Sequence, residues 1–94
     1  MAYRHVVLFR VYDGTTPAQV SESIRLLRDL GRLPGVVSWR VERSLDDRKG
    51  TIIIEDAAFA DRVAYEAFRA HPAHVAAANA LSGISDWWVG DYVG

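Results

Sequence analysis

A chain of 94 residues, 50% hydrophobic and 24% charged with a net charge of −1, has the composition of an ordinary folded domain and leaves room for one core rather than two. Ten arginines and one lysine are scattered among the acids without forming a basic stripe, so nucleic acid is not an expected partner. The absence of cysteine removes disulfides as a stabilising device and suits a reducing compartment; Met1 to His5 shows no signal-peptide pattern and no apolar run approaches membrane-spanning length, so a cytoplasmic protein away from membranes is expected.

Tyr3 to Tyr12, rich in valine, leucine and aromatic residues and closed by Asp13-Gly14, reads as the first strand. Period two places His5, Val7, Phe9 and Val11 on one side and Val6, Leu8, Arg10 and Tyr12 on the other, both largely apolar, so both are expected to be covered. Thr16-Pro17-Ala18-Gln19 is a capping box with proline at the first helical position. The helix it starts recurs through Val20, Ile24, Leu27 and Leu30 or its neighbour Leu26, until Gly31 and Pro34-Gly35 end it. Val36 to Arg43 alternates, with Val37, Trp39 and Val41 facing one way, and Thr51 to Ala58 is a third strand after the polar turn Asp46 to Gly50. From a cap at Asp61, Val63, Ala64, Ala67 and Phe68 mark a second helix. Pro72 interrupts it and can open a separate helix over Pro72–Ala80, while Asp86 to Val93 makes the last strand.

Strand, helix, strand, strand, helix, strand over residues 1–94 is one α+β domain, the ferredoxin-like βαββαβ order with a four-stranded antiparallel sheet. Helices cover one face of such a sheet. The other carries Val6 and Leu8, and a twofold-related copy of the same sheet is the most economical cover, so a homodimer is expected.

Of three histidines, two stand in His71-Pro72-Ala73-His74, where three-residue spacing at a helical start lets both approach one region. His5 arrives on the strand face assigned to the helices, so His5 and His74 can converge on one pocket and exchange a proton with a substrate there. The plain structural alternative for each is a packed or capping residue. No cysteine or carboxylate stands at ligand spacing beside them, so no metal is expected. Glycine-rich phosphate loops and nucleophile elbows are likewise missing, and no cofactor is expected. Trp39, Trp87 and Trp88 with Phe9, Phe59 and Phe68 would favour a small aromatic or polyketide-like ligand where they line that pocket.

Several stretches together resemble the stress-responsive dimeric α/β-barrel (Dabb) family: Arg4-His5-Val6-Val7-Leu8-Phe9, Leu33-Pro34-Gly35-Val36, Asp47-Arg48, Phe59, His71-Pro72-Ala73-His74 and Asp91-Tyr92. The resemblance spans nearly the whole chain and implies a ferredoxin-like subunit paired through its sheets into a dimeric barrel, with a ligand pocket. It also implies that His5 and His74 are the catalytic pair of the family's cyclising members, which close a linear polyketide by aldol condensation. The family cyclase's pocket tyrosines fall on Leu27 and Phe68, which carry no phenol. Together with Val7, Phe9, His71 and Trp87 these are the candidate substrate-binding residues. The activity expected is a cofactor-free polyketide cyclase or related lyase/isomerase, with His74 as base and His5 at the carbonyl oxygen. Alternatives are a non-catalytic stress-responsive protein that binds a small ligand, and a cofactor-free monooxygenase on the same fold.

Overall fold

A computed structural model describes residues 1–94. The chain runs β1 (Tyr3–Val11), α1 (Pro17–Asp29) with a 3₁₀ turn over Leu30–Arg32, β2 (Val36–Arg43), β3 (Ile52–Phe59), α2 (Arg62–Ala70), α3 (Pro72–Ser82) and β4 (Ser85–Val93). The four strands form one antiparallel sheet in the order β2-β3-β1-β4, the ferredoxin-like arrangement, with β1 and β3 central. No helix is long and apolar enough to cross a membrane.

Local chemistry explains the element ends. At α1 the Thr16 hydroxyl accepts from the Gln19 N–H while the Gln19 side chain accepts from the Thr16 N–H, so the capping box is complete. Asp61 caps α2 by accepting from the Ala64 N–H at 2.9 Å. Between α2 and α3 the chain turns at His71, whose extended backbone (ψ 136°) is what a residue preceding proline adopts.

The core lies on one face of the sheet. Val7, Phe9 and Val11 from β1, Ile53 and Ala57 from β3, and Val41 from β2 pack under Leu27 and Leu30 of the first helical segment and Phe68 and Leu81 of the last two. This is the face on which alternation placed His5.

Two expectations about faces are corrected. Val37 does not point inward with Trp39 and Val41: the register slips between Val36 and Ser38, a bulge that leaves Val37 unpaired and 65% exposed while Val36 packs on the core. The buried stripe of α2 is Ala64, Tyr65 and Phe68, not Val63 and Ala67; Val63 is 75% exposed. One residue is about 100° around a helix, so this small rotation exchanges which side chains meet the sheet.

Candidate active site

The helix-facing side of the sheet carries two acids among its apolar residues. Directly opposite His5 on β4 stands Asp91, and diagonally across on β3 stands Glu55, the partner of Val7. His5 is therefore flanked by carboxylates on both sides. Its Nδ1 lies 2.7 Å from Asp91 Oδ1 and its Nε2 3.2 Å from Glu55 Oε2. Tyr3 extends the chain by donating its hydroxyl to Asp91 Oδ2 at 2.6 Å. Glu55 and His5 are both buried, at 2% and 4% exposure, and an acid so placed is tolerable only with a partner.

Burial works against charge on His5, but the hydrogen bonds to Glu55 and Asp91 outweigh it and raise its pKa above the usual imidazole value. The two carboxylates thus favour the imidazolium form of His5. The hydrogen bond to Asp91 pushes the Tyr3 phenol up to about 12.

His74, on the first turn of α3, has the opposite surroundings. It packs against the ring of Phe68 (centroids 5.0 Å apart), and desolvation lowers its pKa despite the nearby Glu55 charge. His74 is consequently neutral at pH 7, and a neutral imidazole has a nitrogen lone pair to offer. One cavity therefore brings together two histidines whose environments drive their protonation in opposite directions.

That cavity, about 310 Å³, lies between the sheet and the helices. His5, His74, Val7, Phe9, Leu27 and Trp87 all line it. Phe68 and His71 do not. Phe68, 1% exposed, stands behind His74 and packs on Phe59 and Trp39, so it supports the wall rather than forming it. His71 is the N-cap of α3: its Nδ1 accepts from the Ala73 N–H at 3.0 Å, which fixes the ring at the helix start, and it does not join His74 at the pocket.

Three polar lining residues were not singled out from the sequence: Glu55, Tyr65 and Arg69. Tyr65 lies over His5 (centroids 4.7 Å apart, 43° between planes) and stacks on Tyr3 (4.7 Å, 19°). Burial raises its pKa, so it keeps its proton and is a hydrogen-bond donor at neutral pH. A phenol thus reaches the cavity from Tyr65 although Leu27 and Phe68 carry none. Both His5 nitrogens are taken up by carboxylates, and no group of three or more His, Cys, Asp or Glu side chains is arranged to hold a metal ion.

Comparison with solved structures gives the same fold in proteins of several descriptions. A dimeric ferredoxin-like protein of unknown function from Thermobifida fusca is 25% identical, with a TM-score of 0.89 over 100% of this chain and 92% of that one. SnoaB, a cofactor-independent oxygenase from Streptomyces nogalater, is 24% identical (TM-score 0.79; 99% and 92% covered). The hydroxynitrile lyase of Passiflora edulis is 18% identical (TM-score 0.86; 99% and 93%). Among curated proteins, none matches the chain. The sequence model of the stress responsive A/B barrel domain matches residues 3–93, so the resemblance drawn from scattered motifs holds over nearly every residue, and the chain belongs to that family.

Proposed function

We propose that the protein is a cofactor-free enzyme that moves protons at carbon next to a carbonyl, acting as a polyketide cyclase or related lyase/isomerase on a small poly-β-keto substrate. The observation that carries this reading is the opposed protonation of His74 and His5 in one apolar cavity. An acid and a base shifted in opposite directions from the ordinary imidazole value are what proton abstraction α to a carbonyl calls for.

In this scheme the neutral His74 takes the proton from a methylene flanked by two carbonyls. The C–H pair becomes the enolate; its oxygen accepts from the Tyr65 hydroxyl, and the His5 imidazolium, whose N–H groups are held by Asp91 and Glu55, favours the negative charge through its own positive charge. The enolate carbon then attacks a second carbonyl of the same chain, forming the ring C–C bond, and the new alkoxide takes the proton back from His74. The apolar walls of Val7, Phe9, Leu27 and Trp87 exclude water and fold the chain. The same base can serve a cofactor-independent oxygenase, the activity described for SnoaB, by deprotonating a hydroquinone. Trp87 on the wall favours an aromatic ring there. A non-catalytic, stress-responsive ligand-binding role is the outcome left if neither reaction occurs.

The test is turnover of a synthetic triketide or tetraketide thioester, followed by chromatography for the cyclised product, with oxygen uptake on a hydroquinone run alongside. Cyclisation that falls by roughly a hundredfold or more in His74→Ala supports the proposal; product formation undiminished in that variant removes it. The working form is proposed to be a homodimer, as described for the Thermobifida fusca protein, and to reside in the cytoplasm.

A further inference from the structure

Eight of the ten arginines have a partner within the chain: Arg4 and Arg28 donate to backbone carbonyls, Arg43 to the Thr51 hydroxyl, and Arg10, Arg25, Arg40, Arg48 and Arg62 pair with carboxylates. No side-chain hydrogen bond or ion pair within the chain engages Arg32 or Arg69. Only Arg69 of these two borders the cavity. It is exposed, in the last turn of α2, and with Trp87 and Val89 it marks where the cavity meets solvent; the deeper walls are the buried Val7, Phe9, Leu27 and Leu81.

We propose that Arg69 is the specificity residue of this pocket and that its ligand is a small carboxylic acid, with the carboxylate on the guanidinium and an apolar or aromatic body inside. A guanidinium presents parallel donors that match a carboxylate, and an unpaired one leaves those donors for the ligand. The charge calls for a monoanion. A phosphate would draw on a second free cation, but the only other cationic group lining the cavity is His5, whose two nitrogens already face Asp91 and Glu55.

The volume fits this assignment. About 310 Å³ is at the small end of ligand pockets and suits one ring with a short chain. Arg69, Tyr65 and His74 line the same cavity, so a carboxylate held at Arg69 shares that chamber with both groups. This inference deepens the proposed function and rests on it for the cavity as substrate site: a poly-β-keto acid would anchor its acid end at Arg69 and present a methylene to His74.

Binding of cinnamate and of its uncharged isostere cinnamamide, followed by calorimetry on the full chain, separates the possibilities. Cinnamate is expected to bind about fivefold tighter than the amide, the upper end for a solvent-exposed ion pair, with the advantage shrinking as salt is added. Arg69→Gln is expected to bring the ratio close to one, and Arg69→Lys to keep part of the preference. If Arg69 only complemented the α2 dipole, Arg69→Gln would lower thermal stability and leave the ratio as it was. Equal affinities in the wild type, a preference that survives Arg69→Gln, or failure of cinnamate, benzoate and indole acetate alike to bind overturns the assignment. Acid preference without turnover removes the enzyme and keeps this site; turnover of neutral polyketones without acid preference does the reverse.

Discussion

At the scale of single residues, the site is a matter of where carboxylates stand relative to two imidazoles. His74 must be neutral to act as base, and its pKa is lowered from 6.5, so cyclisation should stay near its maximum when the pH drops just under that value and fall only below it. His5 must be charged to hold the enolate, and its pKa is raised from 6.5, so the alkaline limb of the rate profile should lie above that value. A kcat profile with a plateau spanning pH 6.5 is therefore expected, and a single acid limb above it would contradict the assignment of roles. Stability follows the same signs. The raised pKa means that His5 stabilises the fold fully below 6.5 and loses that effect as pH rises through its folded value. Replacing it leaves Glu55 buried without its partner, so His5→Leu should cost about 3 kcal/mol near neutral pH, less in alkali, by urea denaturation. His5→Leu with Glu55→Leu should recover much of that loss, because an apolar pair suits the buried position. The two histidines were legible from the sequence because there are so few of them and one stands in a compact motif. Glu55 was not, since an acid in Ile-Ile-Ile-Glu-Asp gives no sign of which of Glu55 and Asp56 turns inward until the register to β1 is known.

At the scale of elements, strands and helices were readable where a local device fixes them: the box at Thr16 and Gln19, the cap at Asp61, the proline at 72. What depends on packing was less so. Tyr65 was missed because Val63 and Phe68 suggest an apolar stripe one position away from the true one, and only the sheet decides which stripe is buried. Val37 was misplaced because a bulge is set by the pairing of β2 with β3 and leaves no mark in alternation. One contact between elements was equally hidden. Gly31 lies under Trp39, whose Nε1 donates to the Leu27 carbonyl at 3.0 Å, and a Cβ on Gly31 would stand 2.6 Å from Trp39 Cδ1. The ring, in contact with Phe68, cannot give way without disturbing the wall behind His74. Gly31→Ala is thus expected to destabilise by about 1–3 kcal/mol, as overpacking does, and to shift tryptophan fluorescence. An unchanged unfolding midpoint and spectrum would show that the 3₁₀ turn moves freely away from β2.

For the whole molecule, alternation along β1 separates two tasks. His5, Val7 and Phe9 belong to the cavity, while Leu8, next to Ile54 on β3 and Trp88 on β4, belongs to a sheet face that no helix covers. On that face Leu8 is 41% and Trp88 64% exposed, and Tyr92 stands in the same row of β4. A 94-residue chain that leaves a central strand so exposed on one side gains stability by covering it, and an identical sheet offers the matching surface. Charge placed at Leu8 would have to be desolvated in such an interface, so Leu8→Glu should shift the protein from twice the 10.5 kDa chain mass to the single chain in sedimentation. Because subunit association stabilises only the folded state, the wild-type unfolding temperature should rise with protein concentration and that of Leu8→Glu should not. A wild type that sediments as a single chain at micromolar concentration would contradict the dimer. Since every lining residue comes from the helix-covered face of one chain, a folded Leu8→Glu monomer should retain cinnamate binding; loss of binding in a monomer that is still folded would show that pairing of the sheets sets the spacing of β1 and β4 around His5.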